Sequence, residues 1–134
     1  MDYVVIDGKA YDVLVEKISE NFNILYSDKT GRSTSVGARM ILDPLGTFYG
    51  HKITFRRKRG KEAEFDALWT FVSVPRYNGI RIKAADNQST IEYEAYISQG
   101  ERTVKRIDVE KGIIYWDAFE LNIVPMEAQV LPGD

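Results

Sequence analysis

One stretch of this sequence carries the period of an α-helix, and nearly every other apolar run recurs at every second residue. Within residues 61–73, Phe65, Leu68, Trp69 and Val72 stand at i, i+3, i+4 and i+7, one face of a 3.6-residue repeat. Glu62, Glu64 and Asp66 place negative charge in the first turns, where the helix dipole favours it. Pro75 ends the segment, because the residue before a proline avoids helical angles. This helix therefore has to be fitted into a chain that is otherwise extended.

The period-two segments supply the rest. His51, Ile53 and Phe55 alternate with Lys52, Thr54 and Arg56. Ile80, Ile82 and Ala84 alternate with Arg81 and Lys83, and Ile91, Tyr93, Ala95 and Ile97 with Glu92, Glu94 and Tyr96. Asp86-Asn87 between the last two runs predicts a hairpin. From Trp116 to Val124, Phe119, Leu121 and Ile123 share one face and Glu120 and Asn122 the other, with Pro125 as the stop. Shorter candidates are Tyr3–Ile6 before the Asp7-Gly8 turn, an extended and bulged region over 11–26, Ala38–Leu42, and 103–110 before Lys111-Gly112. The expectation is an α+β chain, mostly β: about eight strands in an antiparallel β-sandwich or barrel-like sheet, with the helix covering one open end or face. No repeat or linker divides it, so residues 1–134 read as a single domain with a flexible loop over about 27–37 and a loose C-terminal tail over about 129–134.

Composition removes several classes of function. There is no cysteine, hence no disulfide, no thiolate zinc site and no thiol nucleophile. The net charge is −2, the wrong sign for a stand-alone nucleic-acid binder, whose affinity comes largely from neutralising phosphates. The N-terminal MDYVVIDGKAYD has no basic region followed by an apolar run, so no signal peptide is expected and the chain is expected to fold inside the cell that makes it. No apolar run approaches the ~20 residues of a membrane-spanning helix.

The chemistry-bearing candidates are few. The strongest is RRKRGK, which gathers Arg56, Arg57, Lys58, Arg59 and Lys61. It reads either as a phosphate grip or as a strand end, a Gly60 turn and a helix start, a solvated turn or subunit-contact loop. Glu62, Glu64 and Asp66 follow directly and nearly cancel the charge, and no aromatic interleaves the cations as a single-strand-binding platform requires. The run from Gly31 to Gly37 has five residues between its glycines and continues Ala38-Arg39, so it fails the phosphate-loop pattern. His51 is the only histidine, and it reads as a structural residue at a strand edge. Glu92 and Glu94 lie ~7 Å apart on one strand face, the spacing of any wet alternating strand, with Arg81 and Lys83 as cross-hairpin partners. Asp43 before Pro44 is turn chemistry. No catalytic, cofactor-binding or metal-binding residue is singled out.

Four segments in order carry a resemblance: DGKAYDVLVEKISENFNIL, GRSTSVGARMILDPLGTFYGHKITF, EFDALWTFVSVP and the closing WDAFELNIVPMEAQ. Together they resemble small tail-associated structural proteins encoded by phages and prophages of Gram-positive bacteria. The order is also similar to the tail-tube fold shared by tube proteins and the N-terminal domains of distal tail proteins. The resemblance implies a β-sandwich flanked by one helix, with Phe65, Leu68, Trp69 and Val72 seating that helix. It implies rings, usually hexameric, with self and other tail proteins as partners, and residues 27–37 reaching a neighbouring subunit or ring. It implies no catalysis and no cofactor, and a place in the virion tail after assembly in the bacterial host cytoplasm. A lumen passing DNA is often acidic in such families, so Arg56–Lys61 would face outward or pair between subunits. The alternative is a nucleic-acid or ligand-binding β-domain using Arg56–Lys61 with Arg81 and Lys83; a hydrolase using Glu92 and Glu94 stands third.

Overall fold

The computed structural model describes residues 2–34 and 37–133; Ser35 and Val36 of the expected loop and Asp134 of the expected tail lie outside these. The chain folds as a mixed α+β structure, mostly antiparallel sheet with one helix. The elements are β1 (Val4–Ile6), β2 (Leu14–Tyr26), β3 (Gly31–Arg32), β4 (Met40–Ile41), β5 (Pro44–Arg56), α1 (Glu62–Val72), β6 (Ile80–Asp86), β7 (Ser89–Tyr96), β8 (Val104–Asp108), β9 (Ile113–Trp116) and β10 (Phe119–Pro125). Six strands pair in the order β1-β6-β7-β10-β5-β2, and β3–β4 and β8–β9 form two small hairpins.

The sheet turns on β10. Phe119–Ile123 pair with Phe55–His51 of β5, while Val124 and Pro125 pair with Tyr96 and Ala95 of β7. One strand thus serves both halves. The bend is deep: His51 Nε2 on β5 lies 3.0 Å from the carbonyl oxygen of Ala85 on β6, although three strand spacings, ~14 Å if flat, separate these strands in the sheet order.

The alternation of each strand fills the concave side. Ile53 and Phe55, Ile82 and Ala84, Tyr93 and Ala95, and Phe119, Leu121 and Ile123 are all buried there, joined by Ile6 and Val13. The helix lies over them through Phe65, Leu68 and Val72, with Trp69 partly buried beside them. Phe119 is the meeting point, its ring 5.0 Å from Phe65, 5.3 Å edge-on from Trp69 and 5.7 Å from Phe55. Each such ring removed from water contributes roughly 1.5–3 kcal/mol. The β6–β7 hairpin forms where Asp86-Asn87 predicts it, with Asn87 at φ +50° between Asp86 and Ser89.

Four expectations change. The tail expected to be loose over about 129–134 is held at its start, where Gln129 and Val130 bond to Thr47 on β5. The strand read from Trp116 through Val124 is two strands. Trp116 ends β9 and Phe119 opens β10, and between them the Asp117 N–H donates to the Thr103 carbonyl at 2.9 Å. Residues 27–37 are not loop throughout, because Gly31 and Arg32 pair with Ile41 and Met40. His51 is not at a strand edge: β5 is flanked by β10 and β2, and the imidazole is 0% exposed.

Candidate functional site

Two regions combine functional groups with unusual exposure: a two-stranded arm and the basic turn. The arm arises because β2 and β5 are both 13 residues long and pair along their length, from Leu14 opposite Arg56 to Tyr26 opposite Pro44. β10 supports β5 only from Phe55 to His51. Beyond that point Asn21–Tyr26 and Gly50–Pro44 run on for roughly 20 Å. Asp43 clasps the tip. Its carboxylate accepts from the Ser27 hydroxyl, its N–H donates to Thr30 Oγ1 at 2.8 Å, and its carbonyl accepts from the Ser27 N–H at 2.9 Å. The β3–β4 hairpin lies beyond this clasp.

The arm is apolar and exposed together. Phe22 is 67% exposed and stands opposite Tyr49 on one face, next to the Ile24–Thr47 pair. Leu25, Tyr26, Met40, Ile41, Leu42 and Leu45 are exposed as well. The outer edge of β2 has no partner strand among the described residues. A monomer gains nothing from displaying such a surface, and free strand edges are normally covered.

At the root of the arm sits a polar cluster. The Ala85 carbonyl can only accept, so His51 Nε2 carries the proton and donates to it at 3.0 Å, while Nδ1 accepts from the buried Tyr93 hydroxyl at 2.6 Å. Burial holds the His51 imidazole below its ordinary pKa, keeping it neutral. Glu20 of β2 brings Oε2 to 3.4 Å from His51 Nε2. Burial of its carboxyl, with a further contribution from Asp86, pushes Glu20 up to about 7. Burial likewise raises the Tyr93 phenol. The cluster ties β2, β5, β6 and β7 together, and it makes His51 a structural residue in the fold interior.

In the basic turn, the structure pairs four of the five cations. Arg56 forks onto the Glu16 carboxylate through Nε and Nη2, each at 3.2 Å. Arg57 meets Glu62 at 3.6 Å, Lys58 meets Asp12 at 2.6 Å, and Lys61 meets the same Asp12 at 3.6 Å. Lys58 and Lys61 hold the Asp12 carboxyl below its usual range, and Glu16 raises the Arg56 guanidinium. Arg59 alone of the five has no ion pair among the described residues. Glu16 and Asp12 precede the turn by some forty residues, so the sequence showed only the local carboxylates.

The remaining candidates fall elsewhere. Arg81 pairs diagonally with Glu92 at 2.9 Å on the exposed face of β6–β7, so the two glutamates share that face with cations. Phe65, Leu68, Trp69 and Val72 all point from α1 into the core. Sequence reasoning missed Arg102, whose guanidinium lies 4.8 Å from the Trp69 ring and 4.0 Å from the Trp116 ring and donates to Asp66 at 2.9 Å. It fastens the β8–β9 hairpin to the helix. A cleft of about 560 Å³ opens past the C-terminal end of α1, lined by Trp69, Val74, Arg76, Gly79 and Tyr96 among others. No family model matches this chain, and no curated protein matches it in sequence.

Proposed function

We propose that this chain is a non-enzymatic structural subunit of a phage tail or tail-like particle, forming or joining rings as a tube, distal-tail or adaptor component. The observation that carries the reading is the arm: a two-stranded extension that leaves the body with Phe22, Ile41, Leu42 and Leu45 exposed and one strand edge open. Association with a neighbouring copy removes both the apolar surface and the edge from water. The bent sheet with its single helix is, on this reading, a tail-tube-like sandwich whose arm reaches the next subunit or ring. The basic turn is a joint between strand and helix. Asp12, Glu16 and Glu62 occupy Arg56, Arg57, Lys58 and Lys61, which leaves the nucleic-acid alternative with little free charge.

The test is the solution mass by light scattering across a concentration series at near-physiological salt. The reading expects a discrete closed oligomer of about six copies. A monomer at every concentration, with a salt-dependent shift on DNA that Arg57→Glu and Arg59→Glu abolish, would replace it with the nucleic-acid reading.

A further inference from the structure

The segment after β10 does more than trail from the fold. β10 ends at Pro125, and the Met126 N–H donates to the Glu94 carbonyl at 2.9 Å, which fixes where the chain departs. The next residues cross to the free side of β5 on the arm. Thr47 donates its N–H to the Val130 carbonyl at 2.9 Å and accepts from the Gln129 N–H at 3.0 Å. The Gln129 side chain does the work of one more strand residue: its Oε1 accepts from the Tyr49 N–H at 2.9 Å, and its Nε2 donates to the Tyr49 carbonyl at 3.0 Å. Gly46 admits the strap closely, since a Cβ there would stand 2.6 Å from Ala128 Cβ and 3.0 Å from the Val130 oxygen.

We propose that residues 127–131 are an exchangeable strap whose second acceptor is the Gly46–Tyr49 edge of another copy of this chain. The acceptor specifies its occupant. It takes a small residue over Gly46, a backbone pair at Thr47 and a side-chain amide at Tyr49, and Ala128-Gln129-Val130 supplies all three. Every copy carries both halves, so exchange re-forms each bond it breaks. The strap also releases readily. It contributes no side chain to the buried core, and Val130 and Leu131 are exposed, the profile of a segment that opens locally while the fold stays intact. Once released it uncovers a strand edge beside the exposed apolar face of the arm. Two copies in solution are enough for the exchange, so it stands apart from the tail reading; within a ring it would lock neighbours together.

The natural chain lacks cysteine, so introduced thiols report without background. Thr47 and Val130 are bridge partners, and an antiparallel hydrogen-bonded pair places Cα atoms ~5.5 Å apart, within disulfide range. The experiment mixes full-length Thr47→Cys with full-length Val130→Cys, oxidises the mixture over time, and identifies 47–130 linkages between chains by non-reducing electrophoresis and peptide mass. The expected result is a 47–130 heterodimer that accumulates well above the product of Thr47→Cys with a remote Glu110→Cys, and that falls to that background when Gln129→Ala is added. A double Thr47→Cys/Val130→Cys chain should close on itself when dilute. If it closes while the mixture never exceeds background, the strap is a fixed intramolecular feature and the exchange is refuted. If it does not close, the strap contact itself is refuted. Either failure leaves the ring test by light scattering to decide separately.

Discussion

The inner and outer halves of β5 make the same pairs with β2 and have opposite fates. From His51 to Phe55 the strand is covered by β10 and the helix, and Ile53 and Phe55 vanish into the core. From Pro44 to Gly50 it has β2 on one side and only the strap on the other, and the apolar residues around it, Phe22 above all, stay in water. Alternation decides which face a side chain takes. Whether that face is buried depends on a second layer, and the chain builds that layer over only half of the strand pair. The body is thus held by its own core, and the arm keeps an apolar surface in water.

The sharpest break in this comparison comes from matched truncations. Phe119→Ala should destabilise the fold by about 3–5 kcal/mol, lowering the midpoint of denaturant unfolding sharply, because its ring joins Phe55, Phe65 and Trp69. Phe22→Ser, at an equally large aromatic, should change the unfolding free energy by no more than ~0.5 kcal/mol when both chains are compared as monomers at low concentration. A comparable loss from both would erase the distinction between body and arm.

Arg102→Ala comes next, at about 1–3 kcal/mol. It removes a guanidinium held between Trp69 and Trp116 and bonded to Asp66. Hydrogen exchange should speed up across 104–116 and leave β6–β7 unchanged; uniform loosening of the whole sheet would show that the hairpin is not a separate appendage.

A smaller effect belongs to the root of the arm. The folded Glu20 carboxyl titrates at about 7, above its ordinary 4.5, so the native state binds the proton more tightly and the contribution of Glu20 falls as pH rises from about 4.5 to about 7. His51 has its folded pKa lowered, so its contribution is complete above ~6.5 and is lost as pH drops. The two slopes oppose each other in the natural chain. Glu20→Gln should leave only the His51 slope, and its stability relative to the natural chain should climb steadily between pH 5 and 7.5 in denaturant titrations. A constant difference across that range would mean that neither burial nor Asp86 raises the Glu20 carboxyl at the arm root.

A small effect belongs to the basic turn. Asp12→Asn removes the partner of Lys58 and Lys61, both at the surface, and should shift the unfolding midpoint less than Phe119→Ala or Arg102→Ala and still less at high salt. A large, salt-insensitive loss would make the turn a structural keystone.

How far the sequence was legible follows the same division. The helix and the β6–β7 hairpin were readable because one uninterrupted period covers each and a turn signal or proline bounds it. The core face of β10 was readable, but not its start, because Trp116 and Phe119 bracket a break set by a hydrogen bond to Thr103. The β3–β4 pairing was hidden in a run of small polar residues, where Asp43 draws Ser27 and Thr30 together from a distance. The pairing of Asp12 and Glu16 with the basic run was invisible for a related reason: it depends on the β2–β5 register, which no local pattern prints. The arm was the hardest to see, since Phe22 and Ile24 carry the same signature in the sequence as strand residues with a cover.

The most direct test of the account is the solution mass of a Phe22→Asp/Ile24→Asp chain beside the natural chain, each with its unfolding midpoint measured in the same buffer. The account predicts a closed oligomer for the natural chain and a monomer for the variant, with unfolding midpoints that agree once both are compared as monomers at low concentration. An oligomer that persists unchanged with charges in the middle of the arm would contradict it.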